Sequence, residues 1–138
     1  MATAAIEARN GSRNSSRAGW ALSGLSILFL GADAAGKLLA PELMIANSPP
    51  LGIPADVTFY RELGAILAVC TLLYAWPRTQ LLGAVLLTGY LGGAVATHLR
   101  VGSPLLSHTV FGVYVGLLVW GGLWLREPRL RALFPLKD

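Results

Sequence analysis

The stretch QLLGAVLLTGYLGGAVATHL, residues 80–99, runs twenty positions without an acidic residue, lysine or arginine. As a helix rising 1.5 Å per residue it covers about 30 Å, the thickness of a bilayer's hydrocarbon core. A strand crossing the same layer needs only about ten residues and strict alternation of apolar and polar positions, which is absent here. In hydrocarbon each backbone N–H and C=O must find its partner inside the segment, so the stretch reads as a transmembrane helix.

Three similar stretches surround it, at about residues 18–40, 56–76 and 105–125. The chain of 138 residues has room for one domain, and its composition excludes a water-soluble one. Hydrophobic residues make up 54% and charged residues 13%, against roughly 25% charged in an average globular domain. Sixteen glycines would weaken helices in water but let helices approach closely in lipid. The expected fold is an all-α bundle of four transmembrane helices spanning residues 18–125. Residues 1–17 read as a disordered basic tail, and residues 126–138 as a basic amphipathic segment along an anionic leaflet or a plain solvated tail.

Pro41, Pro49, Pro50 and Pro54 mark the first connection, the one long loop. Trp76-Pro77-Arg78-Thr79 forms a tight turn with Thr79 as candidate N-cap, and Gly102-Ser103-Pro104 another, with Ser103 capping and Pro104 as first helical residue. Arg9, Arg13, Arg17, Arg78, Arg126, Arg129, Arg131 and Lys137 fall on one side of a four-span arrangement, joined by Trp20, Trp76, Trp120 and Trp124. By the positive-inside rule that side is cytoplasmic, with both termini on it, and the setting is a multi-pass protein of the bacterial plasma (inner) membrane. A competing reading makes the first helix a signal peptide cleaved near Ala32-Asp33-Ala34, but its apolar pattern continues to Ala40. The net charge of +4 gathers at the chain's ends, which excludes a nucleic-acid-binding stripe.

Ionisable groups inside spans are expensive and point to function. Asp33, Lys37, Arg61, Glu62 and His98 all fall in the outer halves of their helices, with His108 early in the fourth. Asp33 and Lys37 are four apart and share a helix face in the favourable acid-first order. Arg61 and Glu62 diverge by about 100°, so one of them faces the bundle. Glu62 is expected there because the longer Arg61 can snorkel outward. The candidate ligand-binding residues are thus Asp33, Lys37, Glu62 and His98, with Arg61 and His108 secondary. Against this stands a structural reading: Lys37 and Arg100 as snorkelling anchors, the carboxylates as paired clamps, His98 as an interhelical hydrogen bond, His108 in interfacial water. Gly89/Gly93 and Gly112/Gly116 each make GxxxG, for close helix packing within the chain or in a homo-oligomer. Cys70, the lone cysteine, reads as a packing residue.

No HExxH, GxSxG, P-loop, CxxC or metal-spaced Cys/His set is present, and heme ligation by His98 and His108 has only two histidines to support it. Catalytic residues are not identifiable, and no metal site is expected.

Gly36-Lys37-Leu38, Leu51-Gly52-Ile53-Pro54, Arg61-Glu62-Leu63-Gly64-Ala65 and Gly93-Ala94-Val95-Ala96-Thr97-His98, in this order, resemble the DoxX-like small membrane proteins from Ala18 to Leu125. The resemblance implies a four-helix membrane fold. Relatives include a membrane subunit of thiosulfate:quinone oxidoreductase, components of thiol and oxidative-stress handling and, more distantly, assembly chaperones or cargo receptors. The lack of CxxC argues against thiol exchange. The leading expectation is a bundle that binds a small amphipathic ligand such as a quinone, or supports a redox partner, through the outer polar pocket. The alternatives are an assembly or interaction factor for membrane proteins, and a small acid–base enzyme using Glu62 or Asp33 with His98 as relay.

The topology has a direct test. With Cys70 replaced, cysteines at Ser12 and Leu136 should resist an impermeant maleimide in intact cells while one at Ser48 reacts. Labelling at either terminus would refute the four-span arrangement.

Overall fold

The computed structural model describes residues 1–133. It is all-α, and four helices are long and apolar enough to cross a bilayer: Asn10–Leu39, Val57–Ala75, Gln80–Arg100 and Leu105–Arg126. In chain order the elements are α1 (Ala2–Leu39), α2 (Pro41–Asn47), α3 (Val57–Ala75), α4 (Gln80–Arg100), a π-helical turn (Leu105–Thr109), α5 (Phe111–Arg126) and α6 (Pro128–Leu133).

The spans match the sequence reading closely, and the differences have local causes. The expected disordered tail is helical, continuous with α1 from Ala2. It lacks apolar periodicity, but its Ala, Glu and Arg are good helix formers, and extending an existing helix requires no new nucleus. Ser15 Oγ donates to Leu125 O at 3.3 Å, tying this extension to α5. Pro41 ends α1 by restricting Ala40, then opens α2 as its first residue. Part of the long loop is therefore helical. Asp56, expected as the first helical residue, is the N-cap of α3, its carboxylate accepting from Phe59 N at 3.0 Å.

Two expected cap side chains bond elsewhere. Thr79 is the N-cap residue of α4, but its hydroxyl donates to Leu73 O at 2.8 Å and makes no capping bond. The residue four beyond Leu73 is Pro77, which has no N–H to give, so the hydroxyl fills that vacancy. Ser103 bonds His98, and Pro104, expected as first helical residue, sits before the π turn. There the amides of His108 and Thr109 both reach Pro104 O, and Val110 marks the break before α5. The C-terminal segment contributes α6, whose Leu130 packs on the core; its residues 134–138 lie outside the described residues.

The four long helices form a ring in which α1 touches α3 and α5, and α4 touches α3 and α5. Each successive span reverses direction, so every neighbouring pair is antiparallel. The chain ends lie at one end of the bundle, here the terminal end, and the α1–α3 and α4–α5 connections at the distal end. Leu67, Cys70 and Tyr74 of α3 meet Ala84 and Leu87 of α4 and Val119 and Leu123 of α5 in the core. Outside, Leu28, Leu72, Leu81, Val85 and Leu117 are exposed, an apolar surface suited to lipid.

Close approach at the terminal end depends on glycine. A Cβ on Gly19 would lie 2.8 Å from Gly122 O, drawing α1 onto α5. One on Gly83 would overlap the backbone of Leu73 and Tyr74, so α4 lies directly on α3. Tyr74 donates its hydroxyl to Val119 O at 2.8 Å, so its 2.8 Å contact with Ser23 Oγ has the serine as donor. One buried hydroxyl thereby ties α1, α3 and α5.

Because Gly83 meets fixed backbone, Gly83→Ala should lower stability by about 1–3 kcal/mol. Gly24→Ala, whose added Cβ meets nothing within 4 Å, should leave it unchanged. Melting temperatures of the two purified variants make the comparison, and equal values would show that the α3–α4 contact tolerates a methyl group.

Candidate functional site

At the distal end a cavity of about 550 Å³ opens among all four long helices. Its floor and walls are apolar, with Leu30, Phe59, Leu63, Leu91 and Val115 among them. Met44 of α2 and Leu51 and Ile53 of the following loop border it from the connection side. Arg100, expected only as an interfacial anchor, fixes that loop: its Nη2 donates to Leu51 O at 3.1 Å and Gly52 O at 3.0 Å. Gly52 has φ +64°, a conformation that favours glycine and turns the two carbonyls toward one donor.

Four sequence-selected residues border the cavity: Asp33, Lys37, His98 and His108. Asp33 and Lys37 form an ion pair along one face of α1, both half-buried. His98 Nδ1 lies 3.0 Å from Ser103 Oγ, and His108 Nδ1 2.7 Å from Ser107 Oγ. The two imidazole centroids are 6.0 Å apart. His108 is exposed on the π turn, a rare helical form that places it one position away from its register in a regular α-helix.

Glu62 does not join them. It is exposed and borders no part of the cavity, as is also true of Arg61. The direction of α3 is set by its buried seam Tyr60, Gly64, Leu67, Thr71 and Tyr74, spaced four and three apart. Glu62 lies about 200° from Tyr60 and from Gly64, on the far side. The expectation compared stem lengths, whereas Gly64 decides the matter: a Cβ there would come within 2.8 Å of Lys37 Cβ, so this face is pressed on α1.

The glycine pairs also separate. Gly112 meets Leu91 O, at 3.0 Å from an added Cβ, and so packs α5 on α4 within the chain. An added Cβ at Gly89 or Gly93 meets nothing within 4 Å, and both border the cavity, as Gly112 does at its edge. Their missing side chains supply its volume.

Tyr60 and Tyr90 were not singled out in the sequence, yet both line the cavity, Tyr60 buried and Tyr90 half-buried. The signal was a phenol inside an apolar span, an apolar body with a polar tip that needs somewhere to point. Tyr90 makes no hydrogen bond among the described residues, so its hydroxyl is available to a ligand. Among the described residues no group of three or more His, Cys, Asp or Glu is placed to hold a metal ion.

A ring of four antiparallel apolar helices around a distal cavity defines the class: a small, helical, multi-pass integral membrane protein. The chain belongs to the DoxX-like family, whose profile matches residues 21–122. No curated protein and no solved structure matches it.

The ion pair yields a double-mutant test. Asp33→Asn strands the Lys37 ammonium and should cost about 1–3 kcal/mol, and adding Lys37→Met should recover much of it. Thermal unfolding of both single variants and the double variant closes the cycle; purely additive losses would show that the two groups do not interact.

Proposed function

We propose that the protein binds a small amphipathic ligand in the distal cavity, in the plasma membrane of a bacterium with both termini cytoplasmic. The observation that carries this reading is the coexistence of about 550 Å³ of apolar-walled space with Lys37, Tyr90, His98 and His108 on its border. Small-molecule sites are typically clefts of about 300–1,000 Å³ with a few convergent polar groups. The apolar walls suit a ring or short tail, and the polar groups suit a head that accepts hydrogen bonds. A quinone has both parts: its carbonyl oxygens accept, and lysine, tyrosine and histidine donate. The carboxylate of Asp33 is taken up by Lys37, which disfavours a ligand that needs a strong base there.

The same site serves a redox partner if the ligand shuttles electrons to a second membrane protein. An assembly factor in which the polar groups only lock helices together takes support from the Asp33–Lys37 pair and the His98–Ser103 contact. That reading expects a filled interior around them, and the open space above Gly89 and Gly93 weighs against it. Acid–base catalysis with Glu62 loses its candidate base, because Glu62 is exposed away from the cavity.

The test is a pair of variants. Gly93→Leu should fill the cavity and His98→Ala should remove a polar contact, each weakening a short-tailed benzoquinone or naphthoquinone probe about tenfold or more with folded yield retained. Binding by the purified protein and melting temperature are measured on the same samples, alongside mass spectrometry of small molecules extracted from the native preparation. Loss of stability with probe binding unchanged per folded molecule would refute the cavity as the site.

A further inference from the structure

Arg61 and Glu62 are exposed charges in the second turn of α3, and neither makes an ion pair or hydrogen bond among the described residues. Charges on the lipid side of a span are costly and are normally met by a partner. They are consecutive, so an acid and a base sit side by side at nearly the same depth. Below them Ala65, Val69 and Leu72 are exposed as well, and Thr58 stands exposed above. Thr58, Glu62, Ala65, Val69 and Leu72 are spaced by four, three, four and three, the repeat of a seam that meets a second helix in a left-handed pair. No residue of this seam borders the cavity, which takes Phe59, Tyr60 and Leu63 of α3.

We infer that α3 forms the interface of a homodimer whose two copies are related by a two-fold axis along the membrane normal, with Arg61 of each copy paired to the partner's Glu62. Copies inserted in the same orientation present parallel α3 helices, so residues at one depth meet at that depth. In a parallel seam with Glu62 at the knob position, the hole that receives it includes the residue just before the partner's equivalent knob, which is the partner's Arg61. The two-fold repeats the contact, and four charges sum to zero. Self-complementarity selects a second copy over a foreign helix or an anionic lipid headgroup: an anionic headgroup answers Arg61 and leaves Glu62 unmatched, whereas an isologous contact answers both. Ala65, one turn below, is small enough to admit close approach beside the charges.

The test uses the full chain in its native membrane, with the buried Cys70 replaced by Ala and a single cysteine at Ala65 or Val69. Oxidation should give abundant dimer from both, and little from a cysteine at Val85 of α4 or Leu117 of α5, which are equally exposed. Arg61→Glu or Glu62→Arg alone places like charges opposite one another and should cut the dimer yield about tenfold. The paired swap of Arg61→Glu with Glu62→Arg should restore it, which no misfolding or headgroup explanation would produce. Energy transfer between donor- and acceptor-labelled N-termini, with Cys70 kept, makes the same comparison if Cys70→Ala fails to fold. Yield from Ala65 no greater than from Val85, single reversals without effect, or a swap that does not restore the dimer would each overturn the inference.

Discussion

The bundle depends on how closely its helices meet at the terminal end. Gly19 against Gly122 and Gly83 against the backbone of Tyr74 leave no room for a methyl group, and the Tyr74 hydroxyl bridges Ser23 and Val119 O in the space enclosed. Lipid offers helices no hydrophobic drive to associate, so such contacts, together with buried polar bonds, carry much of the association. The Arg126 guanidinium closes this end, 4.3 Å from the centre of the Trp20 ring and 5.6 Å from that of Tyr74. Aromatic faces attract a cation without a carboxylate, which suits an arginine at the last turn of a helix.

Tightness at one end has a consequence at the other. Toward the distal end α1 stays on α3 through Gly64, and α5 stays on α4 through Gly112. The cavity lies between these two contacts and is bordered by all four helices. Gly89 and Gly93 widen the gap on the α4 side, and Phe29 against Phe111, 5.6 Å between ring centroids, spans it between α1 and α5. Polar residues gather at this cavity because a cleft lined by protein is a less costly place for them than lipid. Location and polarity of the cavity thus share a cause in the glycine distribution.

The spans were legible because hydrophobic length is a property of each segment alone, and α3 and α4 begin and end within a residue of the expected bounds. Asp33 with Lys37 was legible for a similar reason, since four-residue spacing fixes a shared face. Glu62 was not, because its direction depends on which side of α3 meets α1, and that is decided by Gly64 and Lys37 in different helices. The same limit applies to GxxxG: the spacing is identical at Gly89/Gly93 and Gly112/Gly116, yet of the four only Gly112 lies tightly against a neighbouring helix. Thr79 is legible as the N-cap position of α4, but not the use of its hydroxyl, because the proline at position 77 leaves the Leu73 carbonyl unserved, a competition between two helix ends. Tyr60 and Tyr90 were passed over because the search followed charge, although a neutral phenol is a better-tolerated polar group in a span than any ion.

The two faces of α3 now have different reasons for their composition. The seam Tyr60, Gly64, Leu67, Thr71 and Tyr74 turns inward, with Gly64 pressed on α1 and Tyr74 bonded to Ser23 and Val119 O. The seam offset from it by two residues turns outward, apolar below and charged above. Leu or Val at both positions would be more stable on the lipid side, and it is this charged pair that the proposed dimer accounts for. At the cavity Asp33, Lys37 and His98 are half-buried and have partners within the chain. Arg61 and Glu62 have no such partner among the described residues, and under the proposed pairing their adjacency on one helix would let two parallel helices answer both at once.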